Sequence, residues 1–377
     1  MRLYERFKDG RVIGAFPRVT TDDTLKLFPR RTDGLRVLLI HASIREWSWP
    51  NIGPLGQQFV GSSVWMDGHD LRVLDLNAER GHPVEFDEQF LRWVDRRVEW
   101  ALDHHEPHVV GVSGIISQYS AIRRIARLVR MLRPEATIIL GGGIASCLPR
   151  FMAERLPVDV VVQEEGEVTV SEVLERIEMG AGFAGVRGTV YRHDGQVVDN
   201  GLRPSVKAGA EGLDHLPWPL RALWAEDQVY KRNPVGHLNW QSKWTGGAAT
   251  AETPFSVSLI ASRGCPYSAK ACDYCYAAYL GQTYRLRTPK EVVDEMEWLV
   301  HRYDARYLHF LDDLLATDYR WTLAFADEIL RRKLDVLWGG TCRTNIVADD
   351  VLRARREGRQ NFLERCHEAG MRQAGYG

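Results

Sequence analysis

Three cysteines crowd into one short stretch, RGCPYSAKACDYCY over residues 263–276, as Cys265, Cys272 and Cys275. Thiolates gathered at one point suit a soft metal centre, because sulfur is the donor that holds iron–sulfur clusters and many zinc ions. A zinc loop would need a fourth ligand, and no nearby Cys or His stands at zinc-finger spacing. Three cysteines that ligate nothing are the other bland reading. Three protein ligands on a four-iron cluster would leave one iron open for substrate chemistry. The remaining cysteines, Cys147, Cys342 and Cys366, stand alone. Six in 377 residues are too few for a disulfide scaffold, so the crowding points to metal.

The cysteine stretch follows an apolar run, FSVSLIASRG over 255–264, that reads as a buried strand. Two more such runs follow, YLHFLDD (307–313) and VLWGGTCR (336–343), separated by helical periodicity over 289–303 and 319–333. A last helix runs to about 369. Asp312 and Asp313 end the second run and Arg343 ends the third. Taken singly, Asp313 reads as a helix N-cap and Arg343 as a surface cation. Occurring in order at successive strand ends of one βα series, they read as a site. The series stops at AGYG just as a fourth strand would begin. That predicts a partial barrel, cut short at Gly377, with an apolar edge open on its third strand.

The first half alternates in the same way. Apolar runs at 35–43, 70–78, 107–115, 136–143 and 158–167 are separated by helix-like segments. Continuous apolar strands between helices predict a doubly wound, flavodoxin-like parallel α/β sheet covered on both faces. Ligands in that architecture sit at the carboxyl ends of the strands, where Ser113-Gly114, Gly141-Gly142-Gly143 and Gly166 occur. These glycines serve either a close approach to a ligand or tight βα turns. The expected organisation is a leader over 1–34, the flavodoxin-like domain over 35–182, a hairpin and Pro/Trp-rich linker over 183–254, and the partial barrel over 255–377. Lys plus Arg is 49 against 50 Asp plus Glu, which excludes a nucleic-acid or anionic-membrane protein held by bulk charge. No apolar stretch reaches the roughly 18 residues of a membrane span, and MRLYERFKDGR is too charged for a secretory signal. A cytoplasmic address is the default.

Strand, Arg-Gly-Cys-Pro-Tyr and Cys-Asp-Tyr-Cys together resemble the cluster loop of the radical S-adenosylmethionine (SAM) superfamily. The usual spacing there is Cys-x3-Cys-x2-Cys; here the first gap has six residues, as though Ala269-Lys270-Ala271 were inserted. FLDDLLATD resembles the segment that holds the methionyl amine of SAM, matched by Asp312 and Asp313. WGGTCRTN resembles the stretch whose arginine, here Arg343, faces the SAM carboxylate. The first half is similar to the cobalamin-binding domain that precedes many radical SAM barrels. Ser113, Gly114, Gly141, Gly142, Gly143, Glu165, Gly166 and Glu167 match its corrinoid-lining positions. The Asp-x-His-x-x-Gly motif that supplies a cobalt-ligating histidine elsewhere is missing: His41 precedes Ala-Ser-Ile, and His104-His105 falls on a helix. Methylthiotransferases share the layout but carry more cysteines in the first domain, which here has only Cys147.

The resemblance implies three cofactors: a [4Fe-4S] cluster on Cys265, Cys272 and Cys275, SAM, and cobalamin without a protein histidine on cobalt. It places Tyr274 near the adenine of SAM, with Lys270 of the inserted loop turned to solvent. It implies reductive SAM cleavage, hydrogen abstraction from an unactivated carbon, and methyl transfer from cobalamin to that carbon. A ring-forming or ring-rearranging oxidation uses the same parts, and a non-catalytic cofactor-binding module is the reading from a different class. The implied partners are a small-molecule or peptide substrate and an electron donor such as flavodoxin or ferredoxin.

Overall fold

The computed structural model describes residues 30–43, 50, 53–81, 83–205, 213–224, 230, 256–267, 272–273, 275 and 283–376. The chain divides into two compact units. The first comprises Met1–Pro50, Pro54–Val206 and Pro217–Val229; the second comprises Asn51–Gly53, Lys207–Leu216 and Tyr230–Gly377.

In the first unit, β1 (Arg36–His41), β2 (Asp70–Asp75), β3 (Val109–Ser113), β4 (Thr137–Gly141) and β5 (Val160–Val162) pair in parallel in the order 2-1-3-4-5. That is the flavodoxin-like order, whose switch point lies between β1 and β3. Successive residues point to opposite faces. Leu38, Ile40, Val110, Val112, Ile138 and Leu140 pack under α3 (Glu88–His105) and α4 (Tyr119–Leu132). Val37, Leu39, Val109, Ile139, Val160 and Val162 pack under α1 (Leu55–Met66) and α7 (Gly166–Glu178). Three short helices fill the connections: α2 (Leu76–Glu79), α5 (Gly143–Cys147) and α6 (Pro149–Arg155). With both faces covered, β1, β3, β4 and β5 are mostly apolar and read as nearly unbroken runs, whereas the edge strand β2 (DLRVLD) keeps Asp70 and an exposed Arg72.

The hairpin over 183–204 is more than a linker element. Its strands β6 (Thr189–His193) and β7 (Gln196–Asp199) extend the first sheet, β6 lying antiparallel to β5 with Val160 opposite Tyr191. Asp194 at φ 49° and Gly195 at φ 75° give the doubly positive turn a two-residue hairpin favours.

The second unit is a four-stranded parallel sheet in chain order, β8 (Ser256–Leu259), β11 (Tyr307–Phe310), β12 (Leu337–Cys342) and β13 (Met371–Tyr376). The series therefore contains a formed fourth strand rather than the beginning of one. The expected open edge on the third strand is taken by β13. A two-stranded ribbon, β9 (Ser262–Arg263) with β10 (Arg285–Leu286), carries the chain toward and away from the cysteine loop. Helices α8 (Pro289–Tyr303), α9 (Tyr319–Arg332), α10 (Thr344–Glu357) and α11 (Phe362–Glu368) complete the unit. Its core runs from Val257, Leu259 and Leu308 through the edge-to-face trio Phe310, Phe325 and Trp338. Among the described residues no helix is long and apolar enough to cross a membrane.

Candidate functional site

β8 ends at Leu259, turns through Ile260 and Ala261, and re-emerges as β9 before the cysteines. Gly264 sits at φ 76°, a left-handed conformation that side-chain-bearing residues resist, and it steers the chain out of β9 directly into Cys265. Cys265, Cys272 and Cys275 are all partly exposed, as ligands for an external group must be. Cys275 N–H donates to the Cys272 carbonyl at 2.8 Å, so a tight turn joins the last two. Among the described residues no group of three His, Cys, Asp or Glu side chains is arranged to hold a metal ion. A four-iron cluster takes one thiolate per iron, so its cysteines stand wider apart than the ligands of a single ion. Tyr274 and the inserted Ala269-Lys270-Ala271 lie outside the described residues.

The two aspartates divide the work. Asp312 is buried, and its carboxylate accepts from Ala261 N–H at 3.0 Å and from the Ser262 hydroxyl. It ties the end of β11 to the turn that aims the cysteine loop. Burial pushes its carboxyl up to about 6, against the hydrogen bonds from Ser262 and Ala261 and the Arg287 charge, which pull it down. Asp313 is exposed at the same strand end. It is the more accessible carboxylate of the pair.

Arg343 lies at the N-terminus of α10 with its guanidinium 4.1 Å from the ring centre of Tyr267. Asn345 Nδ2 donates to the Tyr267 hydroxyl at 3.3 Å. Tyr267 belongs to the cysteine loop, so this stacking brings the end of β12 against it. Sequence reasoning passed over Tyr267; an aromatic residue two positions after the first cysteine was the available signal.

Asp312 also yields a pH test. Its folded value lies above the ordinary 3.8, so the folded chain holds the proton more tightly than the unfolded one. That stabilising contribution is full below about pH 4 and is lost as the pH rises through about 6. Against Asp312→Asn, the wild type is expected to lose up to about 3 kcal/mol across this window. Parallel pH–stability curves for the two proteins would contradict the burial argument.

In the first unit, the strand-end residues meet as follows. Ser113 and Gly141 are in register on adjacent strands, and Ile144 N–H donates to the Gly114 carbonyl at 3.0 Å. Gly142, at φ 81°, lies so close to this loop that an added Cβ would come within 2.6 Å of Ser113 Oγ. A Cβ on Gly141 would meet nothing within 4 Å, so open space lies over that backbone. Gln118, another residue sequence reasoning missed, fixes the edge: its Nε2 donates to the Ala42 carbonyl at 2.8 Å and its Oε1 accepts from Ile115 N–H. Ile115 and Ile116, on the same edge, are 50% and 58% exposed, an apolar platform beside the glycines. Glu165 and Gly166 begin α7 after β5, whereas Glu167 is buried. Gly166 has a packing role: a Cβ there would stand 3.0 Å from Val60 of α1.

These residues fit the groups expected of them. Open backbone at Gly141 beside exposed isoleucines suits a flat macrocycle, and three accessible thiolates are the donor set of an iron–sulfur cluster. Residues 51–174 match the family model of the B12 binding domain. An uncharacterised methyltransferase of Pyrococcus horikoshii is 24% identical over 307 residues, covering 81% of this chain and 58% of that protein. Cytidylyl-2-hydroxyethylphosphonate methyltransferase of Streptomyces wedmorensis is 28% identical, covering 70% of this chain and 52% of that protein. The chain thus spans about half the length of these curated relatives. The solved radical S-adenosylmethionine methyltransferase TsrM of Kitasatospora setae shares the fold, with a TM-score of 0.63 at 19% identity over 91% of this chain and 59% of that one. With a B12-binding match over residues 51–174 and the cysteine, acidic and arginine strand ends following in order, the chain is similar to cobalamin-dependent radical SAM enzymes in sequence and shares their fold.

Proposed function

We propose that the chain supplies the cofactor-binding units of a cobalamin-dependent radical SAM enzyme that methylates an unactivated carbon of a small-molecule or peptide substrate. The observation that carries this is the packing of Arg343 on Tyr267, which unites two of the motif-bearing strand ends, while Asp312 ties in the third. Cys265, Cys272 and Cys275 would hold a [4Fe-4S] cluster. Asp313 would pair with the amine of SAM and Arg343 with its carboxylate, a charge-complementary grip on both ends of an amino-acid group. Tyr274 would lie by the adenine. Ser113, Gly114 and Gly141–Gly143 would line the corrinoid, with Glu165, Gly166 and Glu167 beyond them. Bound together, these groups supply hydrogen abstraction from the substrate and a methyl group to replace the hydrogen.

The protein's own work is positional. Asp312 and Arg287 set the direction of the cysteine loop, Gly264 turns it outward, and Gln118 braces the edge on which a corrinoid rests. Exposed thiolates need a reducing, cytoplasmic setting, and the cluster needs an electron donor such as flavodoxin or ferredoxin. The test is anaerobic reconstitution with iron, sulfide and cobalamin, followed by SAM and a low-potential reductant. Formation of 5′-deoxyadenosine is expected. A fully loaded protein that forms none would favour a cofactor-binding module without turnover.

A further inference from the structure

The carboxyl end of the first unit's sheet carries a row that the glycine motifs do not explain. Asp75, His41, Ser113 and Gly141 are in register across β2, β1, β3 and β4. By alternation from Val37 and Leu39, His41 points to the face covered by α1 and α7. It stands at the switch point between β1 and β3, where this topology opens a crevice. His41 is only 6% exposed, and its Nε2 is buried with no hydrogen-bond partner among the described residues.

A second group shares the condition. Gln57, in the first turn of α1, is 5% exposed and donates its Nε2 to the Ile40 carbonyl at 2.9 Å, next to His41 in the chain. That bond fixes the amide orientation, leaving Oε1 as the buried acceptor without a partner among the described residues. Leaving such groups unsatisfied costs on the order of 1–3 kcal/mol each, so two in one place point to a partner that the described residues do not supply. Gly141, at the end of the same row, has open space over its backbone.

The chemistry of the missing partner follows from these atoms. Burial holds the His41 imidazole below its ordinary value, against the opposing pull of Asp75, so it is neutral near pH 7. The row holds no Lys or Arg, and its only charge is the Asp75 carboxylate, which caps Ala78 N–H at 3.0 Å. A phosphate would therefore meet the Asp75 carboxylate and no cation in this row. A primary carboxamide satisfies both orphans: its NH2 donates to Gln57 Oε1, and it can donate to or accept from His41 Nε2 in either tautomer. The burial of His41 also keeps its nitrogen below the edge on which a macrocycle would lie.

Resting on the cobalamin reading above, we infer that His41 and Gln57 form a subsite for a carboxamide on the corrin ring, and that His41 is a positioning residue rather than a cobalt ligand. The full chain and its His41→Ala, Gln57→Leu and His41→Gln variants are titrated with hydroxocobalamin and with cobinamide, which keeps the ring carboxamides but lacks the nucleotide. Resonance spectra of the Co(II) form are recorded alongside. His41→Ala and Gln57→Leu are expected to weaken both corrinoids about tenfold. His41→Gln, which keeps a hydrogen-bonding group, should restore most of the affinity at an unchanged melting temperature. Wild-type affinities in both truncated variants would overturn the subsite. So would a loss seen with hydroxocobalamin alone, which would place the contact on the nucleotide, or nitrogen splitting of the cobalt signal that vanishes in His41→Gln. A wild type that binds neither corrinoid would overturn the cobalamin reading itself.

Discussion

Replacement of Cys265, Cys272 or Cys275 by Ala, one at a time, is expected to leave a folded chain that retains cobalamin but cannot keep a four-iron cluster. Each side chain is partly exposed on a loop, so truncation removes little packing. Each would ligate a separate iron, so losing one leaves two protein ligands where three are needed. Iron and sulfide after reconstitution should fall by more than half, and SAM cleavage should drop to background. Replacing Cys147, exposed in the first unit, should change neither quantity. A single variant with full cluster content would remove that cysteine from the site and reopen the meaning of the lengthened gap.

Arg287→Met is expected to be the most destabilising single change near the site. Arg287 is 6% exposed and binds Glu291 through Nε and Glu295 through Nη1 at 2.6 Å, while Nη1 also donates to the Ile260 carbonyl at 2.7 Å. Burial works against its charge, but the two glutamates outweigh that and hold the guanidinium protonated. Removing it strands two carboxylates that are 2% and 1% exposed. The expected loss is about 3–5 kcal/mol, with melting of the second unit ahead of the first. Because Arg287 also grips the turn before the cysteines, cluster retention should fall with it. Replacing Arg287, Glu291 and Glu295 together with apolar residues should recover much of the stability, since no unpaired charge remains. A single variant as stable as the wild type would show that the trio does not hold this turn.

The parts of the molecule legible in the sequence are those fixed by local pattern. The strands of the first sheet read correctly because both faces are buried, leaving runs such as VLLI and TIIL with no polar interruption. The cysteine loop stands out in the sequence because three cysteines in one short stretch have few uses other than metal binding. The fourth strand was not: Met371–Tyr376 reads MRQAGY, and only Met371 is buried. Its strand character comes from pairing with β12 and from Tyr307 reaching Gln373 at 3.1 Å, contacts with no local signature. Gly339 makes that reach possible, since a Cβ there would stand 2.4 Å from the Tyr307 hydroxyl.

The same limit applied to the hairpin: Asp194 and Gly195 make its turn locally, whereas its pairing with β5 has no local signature. It applied again to the aspartates. Both match the amine-holding segment, yet Asp312 continues the inward alternation of Phe310 and is consumed by Ala261 and Ser262, while Asp313 faces outward. Motif spacing names both residues; only packing separates the brace from the accessible acid. His41 shows the converse. Read against a histidine motif it was dismissed, and its burial without a partner became visible only once the strands were in register.

Three cysteines holding a four-iron cluster would leave one iron for SAM. The most direct measurement is the electron paramagnetic resonance spectrum of the reduced, reconstituted protein with and without SAM, before any substrate is added. A reduced [4Fe-4S] signal whose g-values shift when SAM is added is expected, with a smaller shift in Arg343→Ala at equal SAM. A cluster signal identical with and without saturating SAM would contradict that expectation.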